Sequence, residues 1–293
     1  VSEKRLIISS MKRRLFLSST LAASAFATPA FAQSYPNKPV RMIVPFPAGG
    51  ATDILARALS IKLGEKLGQN VVVENRPGAG GTIGSAALAQ AAPDGYTILL
   101  ATSSTHSIGP VINPKIPYDA QTDFTALGQV ASSPNIVLVP PTSPAKTIRE
   151  FIEHAKKNPG KLNYASSGNG TIVHLTTELF KAQSDTFIVH IPYRGTALAI
   201  PDLISGKVDV MFDSLVTGLP HVKDGKLRAL AVTSEKRSTL APDLPTVADV
   251  LPGFESVTWF GLYGPKAMPT DVMQKLNSSL NAALADGDVK ERF

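Results

Sequence analysis

The stretch Pro45-Phe46-Pro47-Ala48-Gly49-Gly50-Ala51-Thr52-Asp53 ends an apolar run and opens an amphipathic one, the make-up of an anion-binding turn. Adjacent glycines let the backbone approach a ligand closely, and free N–H groups at a helix start, with the helix dipole behind them, favour a carboxylate or phosphate. Ala48, Gly49, Gly50 and Thr52 are therefore candidate contacts, with Gly49 and Gly50 as the donors. The same residues also suit a plain tight turn in which Thr52 or Asp53 caps the helix. Asp53 reads first as that cap, because an acid at the mouth repels an anion unless it turns away or binds an amine. A second junction, Tyr164-Ala165-Ser166-Ser167-Gly168-Asn169-Gly170-Thr171, repeats the device. Ser166, Ser167, Gly168, Asn169, Gly170 and Thr171 offer hydroxyls and amides, each charge-assisted bond contributing about 1.5–3 kcal/mol to a carboxylate. His174, one turn further on, either faces the ligand or packs against the helix. In His190-Ile191-Pro192-Tyr193-Arg194-Gly195-Thr196 the candidates are Tyr193, Arg194 and Gly195; Arg194 suits a bidentate carboxylate contact or a surface ion pair. Asp213 ends another apolar run, as an acceptor for a ligand amine or hydroxyl or as a cap, and Thr102, Ser103 and Ser104 end a further one.

Other chemistries lack their residues. Gly78-Ala79-Gly80-Gly81-Thr82-Ile83-Gly84 has the glycine density of a nucleotide loop without the Lys-Ser/Thr or the dinucleotide spacing. The five histidines are dispersed, so no metal site and no cofactor is expected. There is no cysteine, which excludes thiol catalysis and disulfides. Without a Gly-x-Ser-x-Gly elbow, a triad of Ser167, His174 and Asp213 is possible only as arithmetic.

These turns need strands before them and helices after them. From Val40 onward, short β-rich runs alternate with amphipathic stretches, the pattern of a mostly parallel α/β architecture. Strands are expected at Val40–Val44, Val71–Glu74, Thr97–Ala101, Leu127–Ala131, Ile136–Val139, Leu162–Ala165, Phe187–Ile191, Val208–Phe212, Leu227–Val232 and Ser256–Tyr263. Asp53–Leu67 places Ile54, Leu55, Ala58, Leu59 and Leu63 on one helical stripe. Thr147–Lys157 is a second amphipathic helix with a Glu153–Lys157 pair, stopped by Pro159-Gly160. The length suits two domains of about 130 residues. Crossings at Ser132–Asn135 and Leu251–Phe254 give a first domain of residues 33–135 plus 255–293 and a second of 136–254. In open α/β sheets ligands sit at the carboxyl ends of strands, so the loops converge if the two sheets face each other.

The chain has 293 residues and a formal charge of +6. Five cations, Lys4, Arg5, Lys12, Arg13 and Arg14, stand against Glu3 in the first 32 residues, leaving 24 Lys+Arg against 22 Asp+Glu. A nucleic-acid surface needs clustered cations, and none remains beyond this leader. Met11-Lys12-Arg13-Arg14, the apolar run from Leu15 to Phe31 and the ending Ala30-Phe31-Ala32 form the three regions of a signal peptide, cleaved near Ala32. A membrane anchor needs about 20 uninterrupted apolar residues, whereas this run carries Ser18, Ser19, Thr20, Ser24, Thr28 and Pro29. Arg13-Arg14-Leu15-Phe16-Leu17 also resembles a twin-arginine signal, which leaves the export route open. Residues 1–10 precede a normal start at Met11 and read as an upstream translation-start artefact. The mature protein is expected in the periplasm.

An ordered set of motifs carries a family resemblance. Pro39 to Asp53, Glu74-Asn75-Arg76-Pro77-Gly78-Ala79-Gly80-Gly81 through Pro93-Asp94-Gly95-Tyr96-Thr97, Tyr164 to His174, Pro192-Tyr193-Arg194-Gly195 through Gly206-Lys207-Val208-Asp209, and Ala241 to Val247 together resemble the Bug family of extracytoplasmic solute receptors, the binding components of tripartite tricarboxylate transporters. The similarity spans Tyr35 to Phe293. It implies an α/β two-domain periplasmic-binding-protein fold of the Venus flytrap kind (type II), with a hinged interdomain cleft. A monomer without catalysis would capture a small organic carboxylate there and hand it to membrane permease subunits. The loops at Pro47–Asp53 and Ser166–Thr171 would hold the carboxylate through backbone groups and ordered water, with further contacts from Thr102–Ser104 and Tyr193–Gly195. Pro201 departs from the family's smoother helix start, and the chain ends at Phe293 before the expected terminal elements. Two rivals stand beside this expectation: an exported esterase or amidase using Ser167, and a sensory protein of the same fold docking on a membrane kinase.

Overall fold

The structure, a computed structural model, describes residues 35–290. The expected leader, its cleavage near Ala32, the early start and the end at Phe293 lie outside the described residues. Lys38 onward forms one compact unit, which carries everything below.

In chain order the elements are β1 Val40–Val44, α1 Ala51–Leu67, β2 Val71–Asn75, α2 Thr82–Ala89, β3 Thr97–Thr102, a π-helical turn at Ser104–Ile108, α3 Gly109–Ile112 and β4 Phe124–Val139. There follow α4 Ile148–Lys157, β5 Asn163–Ser166, α5 Ile172–Ser184, β6 Val189–Pro192, α6 Thr196–Ile204, β7 Val210–Ser214, α7 Leu215–Lys223, β8 Arg228–Val232, β9 Val257–Pro265, α8 Thr270–Leu284 and α9 Gly287–Lys290. The strands order as β2-β1-β3-β9-β4-β7-β5-β6, with β8 also on β4.

Two expectations are corrected. The sheet is mixed: β1 pairs β2 and β3 in parallel and β5 pairs β6 and β7 in parallel, but β9 and β4 run antiparallel to all their neighbours. The centre is antiparallel because β9 returns toward the first half after the second half is complete. Leu127–Ala131 and Ile136–Val139 are not separate strands but parts of the sixteen-residue β4. The polar stretch between them that reads as a loop stays in the ladder: Ser132, Ser133 and Pro134 pair with β9, and Asn135 begins the pairing with β7. Ser132 is exposed, but the side chains of Ser133 and Asn135 are buried and hydrogen-bonded instead of solvated, Asn135 at 0% exposure.

β4 is thus common to both halves of the sheet. Along one of its edges β8 ends and β9 begins, and Thr233 stitches this joint: its hydroxyl donates to the Ser256 carbonyl at 2.6 Å and accepts from the Asn135 amide at 2.8 Å. In the second half the pleat sends alternate residues to opposite cores. Val137, Val139, Val210 and Phe212 join Phe151, Phe180 and Phe254 on one face, whereas Ile136, Leu138 and Met211 join Val173, Leu203 and Leu215 on the other. In the first half, Ile43, Leu99 and Ala101 pack with Leu88, Tyr118 and Phe124.

Local details shift as well. On α1 the buried stripe is Thr52, Asp53, Leu55, Ala56, Leu59, Leu63 and Leu67, and Ile54 faces solvent. Thr147 caps α4 by accepting from the Glu150 amide, while Glu150 accepts from the Lys146 amide. No ion pair joins Glu153 to Lys157 among the described residues. Pro201 is accommodated inside α6.

Candidate functional site

The loops that follow β1, β3, β5, β6 and β7 meet at one cavity of about 60 Å³, floored by residues of β4 and β9. Of the expected site residues, Gly50, Thr52, Thr102, Ser104, Ser167, Gly195 and Asp213 line it. Phe46, Pro47, Ile172, Val173 and Phe260 supply apolar walls. The halves touch across it: the Ser104 hydroxyl, on the π-helical turn of the first half, accepts the Ile172 amide at the start of α5 in the second, at 3.0 Å.

Several glycine amides expected to face a ligand are committed elsewhere. The Gly49 amide donates to Asp53 Oδ2 at 3.0 Å. Asp53 is buried and also accepts from Arg57 and Asn75. It therefore ties the turn down from inside the first turn of α1, whose N-cap is Gly50, instead of taking the N-cap position itself. Burial alone raises its pKa, but the bonds from Arg57, Gly49 and Asn75 outweigh that and hold its carboxyl below the usual range. In the second half, Gly168 donates to Ser166 Oγ, Gly170 to His174 Nδ1 and Thr171 to the Gly168 carbonyl. The Ser167 hydroxyl donates to Thr171 Oγ1.

What remains open is small and definite. The amides of Ala51 and Thr52 at the start of α1 have no acceptor among the described residues, as the first helical amides must unless something outside the helix meets them. Buried Thr102 Oγ1 and Asp213 Oδ1 have no hydrogen-bond partner among the described residues. Asp213, at 0% exposure, accepts from the Thr217 hydroxyl through Oδ2 at 2.6 Å. Burial pushes its pKa up to about 6 against the Thr217 hydroxyl and the Ser214 amide. Two donors at a positive helix end, a hydroxyl and one acid, reaching one cavity from opposite halves, suit a small anion that also carries a donor.

The other expected residues fall outside the cavity. Ala48 and Gly49 are exposed, Ser103 is buried away from it, and Ser166 is fully buried, bonded to His190 Nε2 at 2.6 Å. Gly168, Asn169, Tyr193 and Arg194 line a separate outer cavity of about 690 Å³ that shares Ser167 with the first. Tyr193 bonds Asp202, and Arg194 is exposed with no ion pair among the described residues. Ser167, His174 and Asp213 make no hydrogen bond with one another, so no triad is assembled. Among the described residues no group of three His, Asp or Glu stands together to hold a metal. Reading the sequence missed Asn135, Thr258, Ala51 and Thr196 as cavity residues. Asn135 carried a signal, a polar residue directly before the apolar run Ile136–Val139.

His174 supports the loop from behind. Its ring stacks on His190 with centroids 4.2 Å apart, and His190 stacks on Tyr164. Glu178 and Lys181 are the charged groups beside them. Burial, then the neighbouring His174, pushes His190 down to about 4, and burial likewise lowers His174. Both bonds to the loop use neutral rings. A histidine whose folded pKa lies below its unfolded 6.5 leaves the unfolded chain holding more protons between the two values, so its contribution is full above 6.5 and is lost as pH falls toward 4. The melting temperature should therefore drop between pH 7 and pH 4.5, and His190→Gln should flatten that slope. Half-buried His106 acts in the same sense and Asp213 in the opposite one, so the wild-type minus His190→Gln difference in thermal scans is the measure; equal slopes would refute a role for His190.

Two sheet-and-helix halves joined by one continuous strand, with loops from each closing on one buried polar cavity, define a two-domain binding protein of the periplasmic type. Residues 55–292 match the model of the tripartite tricarboxylate transporter family receptors, and the chain belongs to that family. It is 39% identical over 275 residues to protein BugT of Bordetella pertussis, covering 93% of this chain and 84% of that one. Among solved structures, periplasmic binding protein BugD superposes with a TM-score of 0.85 at 41% identity, covering 88% of this chain and 86% of that one. R. palustris Rpa4515 with adipate gives 0.85 at 36%, covering 88% and 87%.

Proposed function

We propose that this chain captures an organic carboxylate in the cavity between its halves and presents it, in the periplasm, to the membrane subunits of a tripartite tricarboxylate transporter, without transforming it. The observation that carries this reading is that Thr102 and Asp213, two residues lining one cavity from opposite halves beside the open amides of Ala51 and Thr52, each hold a buried side-chain oxygen, Oγ1 and Oδ1, with no partner among the described residues. A ligand there satisfies groups the protein leaves unmet. The adipate bound by the R. palustris neighbour supports the ligand class.

Gly50, Thr52, Thr102, Ser104, Ser167, Gly195 and Asp213 are the proposed contacts, joined by Ala51, Asn135 and Thr258. Gly49, Asp53, Ser166, Gly168, Gly170, Thr171 and His174 hold the loops in shape. The domains are residues 33–135 plus 255–293 and residues 136–254, a division supported by the change of β4 partner at Pro134 to Asn135. The protein acts as a monomer, exported by a leader cleaved near Ala32.

Trp259 pairs with Ser132 near the joint between the halves and is a built-in reporter of closure. Titration with mono-, di- and tricarboxylates, followed by Trp259 fluorescence and calorimetry with product analysis alongside, should give saturable binding near micromolar, about −8 kcal/mol, and no product. Absence of binding across the panel, or product formation lost in Ser167→Ala, would overturn it.

A further inference from the structure

We propose that Asp213 selects the ligand: the bound organic acid carries a hydrogen-bond donor, a hydroxyl or an ammonium, on the part of its chain that lies against Asp213 Oδ1. This rests on the cavity being a carboxylate site. Among the described residues Asp213 is the sole ionisable one of the cavity wall, which holds no lysine, arginine or histidine from them. One of its oxygens is satisfied by Thr217, and the other is buried and unpartnered. With a pKa raised to about 6 it is a carboxylate at neutral pH.

A ligand carboxylate therefore has one favourable end in this cavity, the amides of Ala51 and Thr52 at the positive end of α1, and one unfavourable end at Asp213. An unsubstituted acid lying against Asp213 offers no proton to Oδ1 and removes the space in which water would solvate it. A hydroxyl supplies that proton, and an ammonium supplies a proton and the opposite charge. Thr102 Oγ1, the other unpartnered polar atom of the wall, is a hydroxyl and donates to the ligand carboxylate, so the two orphaned atoms sort the two ends of the molecule.

The test is calorimetry on the purified protein with matched acids of equal chain length: succinate, malate and aspartate; glutarate, 2-hydroxyglutarate and glutamate; adipate, 2-hydroxyadipate and 2-aminoadipate. In the set whose length binds, a hydroxy or amino acid should bind at least about tenfold more tightly than the plain diacid. Whichever substituted acid binds more tightly identifies the donor. Asp213→Asn, which keeps the volume, should shrink that preference to about threefold or less. The wild-type ranking is informative even if the variant does not fold. A plain diacid binding as tightly as its substituted partners, or a preference unchanged in folded Asp213→Asn, overturns the role of Asp213 and leaves the carboxylate reading standing. Failure of every acid to bind overturns both.

Discussion

Gly195→Ala should weaken binding of any ligand in the cavity by about a hundredfold. Gly195 precedes α6 with φ of 127°, and a Cβ added there would lie 2.7 Å from Cγ and 2.9 Å from Cδ of Pro47, across the cavity in the other half. The pyrrolidine ring is bound to the backbone at both ends and cannot rotate aside, so the halves must part by about 1 Å, the distance to ordinary contact. Separation on that scale loosens the Ser104 to Ile172 bond and the ligand contacts; losing two such bonds at about 1.5 kcal/mol each is about a hundredfold in affinity. The left-handed φ adds local strain of about 1–3 kcal/mol, which is read separately as thermal stability. Calorimetry on Gly195→Ala and on Gly195→Ala with Pro47→Ala distinguishes the two effects. Restoration of most of the affinity in the double variant confirms the cross-cavity clash, and a loss unchanged by removing the ring would mean strain alone is responsible.

The largest expected stability effect is at Phe180. This residue of α5 is fully buried, with ring centroids 5.0 Å from Phe212, 6.1 Å from Phe151 and 6.4 Å from Phe254. Those partners come from β7, from α4 and from the segment leading into β9, so truncation opens a cavity that no single element can close. Phe180→Ala should cost about 3–5 kcal/mol in urea unfolding, with a melting-temperature drop on the order of 10 °C. A loss below about 1 kcal/mol would show that the three neighbours collapse into the space. The same helix carries the Ser166–Thr171 loop at its start, so the core variant should also weaken ligand binding.

Strand and helix runs were legible where one rule governed them. Ile136–Val139 and the Val210-Met211-Phe212 part of β7 are continuous apolar runs, as a sheet covered on both faces requires, and the loops after β1, β3, β5, β6 and β7 were recognisable from their small polar residues. The joint between the halves does not read as strand because Asn135 is polar for an internal reason: it crosses the cavity floor as paired strand, with hydrogen bonds to distant Thr176, Thr233 and Thr258 that no local pattern encodes. The donors were misassigned on similar grounds. Gly49, Gly168 and Gly170 have the flexibility expected of ligand turns, but Asp53, Ser166 and His174 lie within a few residues and capture their amides first. Ala51 and Thr52 stay open because of their place in the first turn of α1, a property of helix geometry more than of residue type.

The unbroken β4, zipped to β9 and β8 on one edge, limits how the molecule moves. Opening becomes the flexing of a narrow two-ply ribbon, which yields out of its own plane and resists sliding within it. Parting and rejoining along such a ribbon would return the opposing loops to the same register without a search, with the Asn135–Thr233 stitch lying at the flexing point.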